Sequence, residues 1–203
     1  MSDLKLTIEI RKPSYAQHRT VRGSIPRTLW NRVRDHVLKE NNDQCQICGR
    51  QDEKKLHAHE VWDYDEDKFL LILKEIQPLC RSCHDLKHIH HVGHRGNGNK
   101  TSNDVMRNLK KHFMKVNGCT EKDFVRHYRN QLAKSSLEPE KRSMEDLIEL
   151  RNLREREEFL NEQDWKFVIG KGIPFTYEIE AQLLRKGLLY VGEEHASSLS
   201  VEK

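Results

Sequence analysis

Cys45-Gln46-Ile47-Cys48 and Cys80-Arg81-Ser82-Cys83 decide how this chain folds. Two residues between cysteines let both thiolates meet one ion, and two such pairs complete the tetrahedral all-sulfur shell that structural zinc prefers. The stretch between them, Gly49 to Leu79, is longer than the spacer of a compact zinc ribbon. One Zn2+ is therefore expected to staple the base of a sizeable insert. Four of the five cysteines are used in this way, leaving Cys119 alone, which argues against a disulfide framework. Inside the insert lies His57-Ala58-His59-Glu60, and directly after the second pair come His84 and His88.

Those histidines point to a second site. Lys55 to Trp62 has strand character, so His57 and His59 project to one face and Glu60 to the other. A helix from Arg81 to Ile89 places His84 and His88 one turn apart on one face. A strand histidine with two helix histidines can hold a further divalent ion (Mg2+, Mn2+ or another) with positions left open for a phosphate oxygen. From Leu86 to Asn103 there is no acidic residue, while Lys87, Arg95 and Lys100 join His88, His90, His91 and His94. Gly93 to Lys100 reads as a basic, glycine-rich loop. Lys87, Arg95 and Lys100 are the expected phosphate contacts, setting position on nucleic acid without reading its sequence.

Working outward, the 203 residues leave room for one core domain plus an appendage, or two small domains. The net charge of +4 is only mildly basic, so the clustering above matters more than the total. No apolar run reaches the length of a membrane span, and Met-Ser-Asp-Leu-Lys lacks an apolar signal region, so a cytoplasmic protein with no membrane contact is expected. Leu4 to Ile10 alternates at period two and reads as a strand. A basic linker runs on to Gly23. Pro26 opens a helix to about Asn41 with Leu29, Trp30, Val33, Val37 and Leu38 on one face.

Val105, Met106, Leu109, Phe113 and Val116 predict a helix ending at Asn117-Gly118, and Thr120 with Asp123 predicts a capped helix after it. Glu138 to Glu162 reads as a charged amphipathic helix with Met144, Leu147, Ile148, Leu153 and Leu160 on its apolar side. Trp165 to Ile169 predicts a strand and Pro174 to Gly187 a short helix. The division that follows is 1–23, N-terminal strand and linker; 24–135, zinc domain; 136–192, a C-terminal helical region available to a protein partner; 193–203, a disordered tail.

The string from Cys45 to His88, "CQICG", "LHAHEVWDYDED" and "IQPLCRSCHDLKH", resembles the HNH family of metal-dependent nucleases over about residues 24 to 120. It is most similar to a bacterial and phage type with His-Glu-Val-Trp in the first strand and a helix ending in Val116-Asn117-Gly118. The resemblance implies an α+β fold, a ββα-metal core stapled by a four-cysteine zinc knuckle, with flanking helices and a separate C-terminal region. It implies Cys45, Cys48, Cys80 and Cys83 as zinc ligands, His59, His84 and His88 as ligands of the catalytic ion, and DNA phosphodiester hydrolysis. The family's general-base histidine follows the strand ligand directly, but here that position is Glu60. Glu60 and His57 are thus the two candidate bases beside His59, with Glu60 favoured by adjacency. The family's central asparagine is also absent, the matching positions being Lys74 and Glu75. A zinc-stapled nucleic-acid-binding module without catalysis, or a subunit of a larger complex such as a defence system, is the alternative.

Overall fold

The computed structural model describes residues 4–9, 12–51, 56–89, 102–135 and 144–192. Over these residues the chain is α+β, with seven α-helices and one three-stranded sheet. The helices are α1 (Val21–Ser24), α2 (Arg27–Glu40), α3 (Arg81–Lys87), α4 (Ser102–Asn117), α5 (Glu121–Ser135), α6 (Met144–Glu162) and α7 (Thr176–Arg185). The strands are β1 (His57–Asp65), β2 (Leu70–Leu79) and β3 (Lys166–Ile169), in the spatial order β1-β2-β3.

β1 and β2 form an antiparallel hairpin whose register runs from His57 opposite Leu79 to Asp65 opposite Leu70. Asp65 shapes its turn by accepting the backbone N–H groups of Asp67 and Lys68 at 3.1 and 3.0 Å. β3 lies parallel to β2 on the far side, so β1 is an edge strand.

Two apolar cores share this hairpin as a wall. The first gathers the α2 face (Leu29, Trp30, Val33, Val37) against Leu71 and Leu73 of β2, with Trp165, Phe167, Ile179 and Leu183. The second holds Leu6, Ile8, Ile47, Leu79, Leu86, Leu109, Phe113 and Phe124 around the cysteines. α2 follows Pro26 as its composition requires, and Leu38 near its end reaches into the second core. α4 stops where Gly118 takes φ +60°, and α5 opens on a reciprocal cap between Thr120 and Asp123.

Four expectations need correction. Leu6 and Ile8 are buried as their alternation demanded, but residues 4–9 are not a strand. The Asn117 amide both donates to and accepts from the Leu6 backbone at 2.9 Å, and His127 Nε2 accepts the Ile8 N–H at 3.0 Å. Side chains take the hydrogen bonds that a neighbouring strand would have offered.

The C-terminal region is not separate either: β3 pairs with β2, and α7 completes the first core. Gly170, at the end of β3, donates to Leu73 O at 2.8 Å, where an added Cβ would lie 2.8 Å from that same oxygen. The apolar side of α6 is covered only in part among the described residues: Ile148 and Leu153 are exposed, while Leu160 in the last turn is buried in the first core.

The stretch expected as linker up to Gly23 instead carries a 3-10 turn (Ser14–Ala16) and most of α1. Tyr15 of that turn stacks on Trp165 with ring centroids 4.1 Å apart. Gly93 to Lys100, the tail from 193, and the start of the helix expected from Glu138 lie outside the described residues. No helix among the described residues is long and apolar enough to cross a membrane.

The shared core makes a direct prediction. Trp165 is 2% exposed and its Nε1 donates to Leu160 O at 2.7 Å. Trp165→Ala should lower stability by about 3–5 kcal/mol and lower the urea midpoint of the whole chain in one transition. A separate early transition for the C-terminal region would mean that the two halves do not fold together.

Candidate metal centres

The first knuckle is a tight turn. Cys45 N–H donates to Arg50 O at 2.9 Å and Gly49 N–H to Cys45 O at 2.8 Å, with Gly49 at φ +71°. Gln46 N–H donates to Pro78 O at 2.9 Å, tying the knuckle to the end of β2 just before Cys80. Cys80 then stands at the head of α3, where its carbonyl accepts the His84 N–H at 2.9 Å.

All four sulfurs lie within 4.8 Å of one another, with Cys48 and Cys80 at 3.6 Å. An ion bonded tetrahedrally to sulfur at ~2.3 Å spaces its ligands by ~3.8 Å, so donor set and spacing fit zinc. Four thiols this close compete for protons. Hydrogen bonds from Cys80 and Cys83 hold Cys45 far below the ordinary thiol range, and the bond to Cys45 pushes the Cys80 thiol up to about 11. A divalent cation removes that competition by letting every thiol ionise.

α4 adds a group that sequence spacing could not reveal. His112 Nε2 lies 3.1 Å from Cys83 Sγ. An imidazole N–H directed at a thiolate orients it and spreads its charge. Only the packing of α4 against α3 brings the two together.

Because α3 starts at the second knuckle, the sulfur cluster also sets where His84 and His88 stand. β1 brings His59 to them through its register with β2, opposite Gln77. The ring centroids are 5.6 Å apart for His59 and His84, 5.1 Å for His59 and His88, and 4.8 Å for His84 and His88. One nitrogen from each lies within 4.8 Å of the other two. His59 is 5% exposed, and burial, helped by positive charge nearby, lowers its pKa to about 3. It therefore stays neutral, with a lone pair to offer. Its 3.9 Å approach to Glu9 is consequently not an ion pair.

His57 shares the face of His59, as strand alternation requires, and stacks on His84 with centroids 4.5 Å apart. Glu60 leaves the other face, and its Oε1 accepts the Arg22 backbone N–H at 3.2 Å. Burial raises the Glu60 carboxyl above the ordinary carboxylate range, with the Lys12 charge opposing. The three histidines and Glu60 nevertheless line one cleft of about 910 Å3, together with Glu9, Lys12, Thr20 and Arg22.

Lys87 turns inward: its ammonium donates to Thr7 Oγ1 at 2.9 Å and lies 2.6 Å from Glu9. Glu75 accepts from the Gln46 and Gln77 side chains. Arg95 and Lys100 lie outside the described residues. Glu9, Lys12 and Arg22 were missed by sequence reading, since nothing local in residues 9 to 22 announces a wall for a site fifty residues on.

No known family model, curated protein or solved structure matches the chain.

His112→Ala should leave the fold intact while weakening zinc affinity by ~10–100-fold, as competition with a chromophoric chelator would measure. Cys83→Ser should instead lose both zinc and the far-ultraviolet dichroism of the insert. Wild-type zinc affinity in the His112 variant would reduce that contact to mere packing.

Proposed function

We propose that this chain is a metal-dependent endonuclease of the HNH type that hydrolyses DNA phosphodiester bonds. The observation that carries the reading is the convergence of His59 from a hairpin strand with His84 and His88 from the helix that follows, in a cleft beside a separate four-cysteine cluster. Strand, strand, helix is the order that a ββα-metal core requires, and here the helix is launched by the second cysteine pair. Three nitrogen donors leave part of a divalent ion's coordination shell open to substrate. An all-imidazole donor set suits Ni2+ or Zn2+ better than Mg2+, which favours oxygen ligands.

Such an ion would supply Lewis-acid charge beside the phosphoryl oxygens. The rest of the chemistry falls to side chains. Water attacks phosphorus, a P–O ester bond breaks, and a base takes the water's proton. Adjacency in sequence favours Glu60, but the geometry supports His57. His57 stands on the face of His59 and against His84, whereas Glu60 leaves the opposite face with one oxygen engaged by Arg22. An imidazole is also the side chain best matched to proton transfer near neutral pH. The position of Glu60, where the family has its base, is what favours the second reading: a zinc-stapled nucleic-acid-binding module that does not cleave.

Plasmid nicking or linearisation with Ni2+, Mn2+ or Mg2+ tests the reading, with an RNA substrate alongside. Wild type should cleave DNA, and His84→Ala should abolish cleavage without loss of zinc. His57→Ala should slow cleavage by ~10²-fold or more, while Glu60→Gln should cost little. The opposite pattern moves the base to Glu60. Binding without cleavage under every metal supports the module.

A further inference from the structure

We propose that Lys12 and Arg22 form the phosphate-binding wall of the histidine cleft, so that residues 12 to 22 grip the substrate backbone opposite the metal-ligating face. The inference rests on the nuclease reading and names the residues that would hold its substrate. Both side chains line the same cleft as His59, His84 and His88.

The Lys12 ammonium lies 5.2 Å from the centroid of the Trp62 ring and makes no hydrogen bond or ion pair among the described residues. It is half-buried, and desolvation is what lowers its pKa. The Glu60 and Glu9 carboxylates and the aromatic face of Trp62 offset part of the cost of drawing this cation from water, but neither carboxylate forms an ion pair with it. A phosphodiester oxygen entering the cleft would complete it.

Arg22 is the complementary case. Its backbone N–H is anchored on Glu60, while its guanidinium is exposed and has no hydrogen-bonding or ion-pairing partner among the described residues. A free guanidinium presents a planar fork suited to two phosphate oxygens.

The segment between them is firmly seated. Tyr15 is buried against Trp165 and its hydroxyl donates to Glu66 at 2.8 Å. Val21 is fully buried, and Thr20 Oγ1 caps α1 by accepting the Gly23 N–H at 3.0 Å. Lys12 and Arg22 thus stand on packed structure, and little ordering remains to be done when substrate binds. Lys87, the other lysine lining the cleft, is already engaged by Glu9 and Thr7.

The experiment uses the zinc-loaded 203-residue chain and a fluorescein-labelled DNA duplex, followed by anisotropy across a salt series. No second divalent ion is added, so the DNA stays intact. Lys12→Met keeps the apolar stem over Trp62, and Arg22→Gln keeps the backbone bond to Glu60. Each should weaken binding by ~10-fold at low salt, and together they should reduce the salt slope by about two, at ~0.9 per phosphate contact. Zinc content and melting temperature should match wild type. Wild-type affinity and slope in the double variant, with wild type still cleaving plasmid, would overturn this inference and leave the nuclease reading standing. A wild type that neither binds nor cleaves DNA would overturn both.

Discussion

Four sulfur atoms set the geometry on which the candidate active site depends. Cys45 and Cys48 precede the hairpin, Cys80 and Cys83 follow it, and their sulfurs lie within 4.8 Å of one another. Joining the two ends closes the loop that contains β1 and β2 and fixes the direction in which α3 leaves. Small loop-rich inserts bury too little apolar surface to hold such a geometry unaided, and metal binding then becomes folding free energy. The second core surrounds the cysteines with Ile47, Leu79, Leu86 and Phe113, so packing and coordination act on the same atoms.

From that fixed point the cleft is assembled out of distant pieces. β1, the edge strand of the sheet, contributes both His59 and Glu60 to the lining of one cavity. Glu9 on the opposite side follows a stretch with no sheet pairing among the described residues, where Asn117 clips Leu6 and His127 clips Ile8. Lys87 joins it through Glu9, whose side chain is half exposed, so that pair contributes little to stability, about 0–1 kcal/mol for contacts of this kind. Its effect is positional: it holds Glu9 at the rim and removes Lys87 from the set of cations that can meet a phosphate.

Local chemistry was legible in the sequence. Cysteine spacing, the alternation of His57 and His59, the helical spacing of His84 and His88, the apolar face of α2 and the Thr120–Asp123 cap each depend on neighbours within a turn or a strand, and each appears in the fold. What failed was decided at long range. Leu4 to Ile10 had the pattern of a strand, but no strand among the described residues pairs with 4–9, and the Asn117 amide serves Leu6 instead. Ile148 and Leu153 had the spacing of a buried face, yet both are exposed, and α6 meets the first core through its last turn at Phe159 and Leu160. Lys87 belonged to a basic run, and tertiary contact with Glu9 gave it another partner. His112, Lys12 and Arg22 carried no motif, because their importance lies in which residues lie beside them.

The central claim is that this chain carries two metal sites of different chemistry, and anomalous diffraction from crystals soaked in Ni2+ tests it most directly. The account predicts a zinc peak about 2.3 Å from the sulfurs of Cys45, Cys48, Cys80 and Cys83. It predicts a second, nickel peak about 2.0–2.2 Å from nitrogens of His59, His84 and His88, one that chelation removes without disturbing the first. A single peak at the cysteines, with nothing bound between the three histidines at any nickel concentration tried, would contradict it.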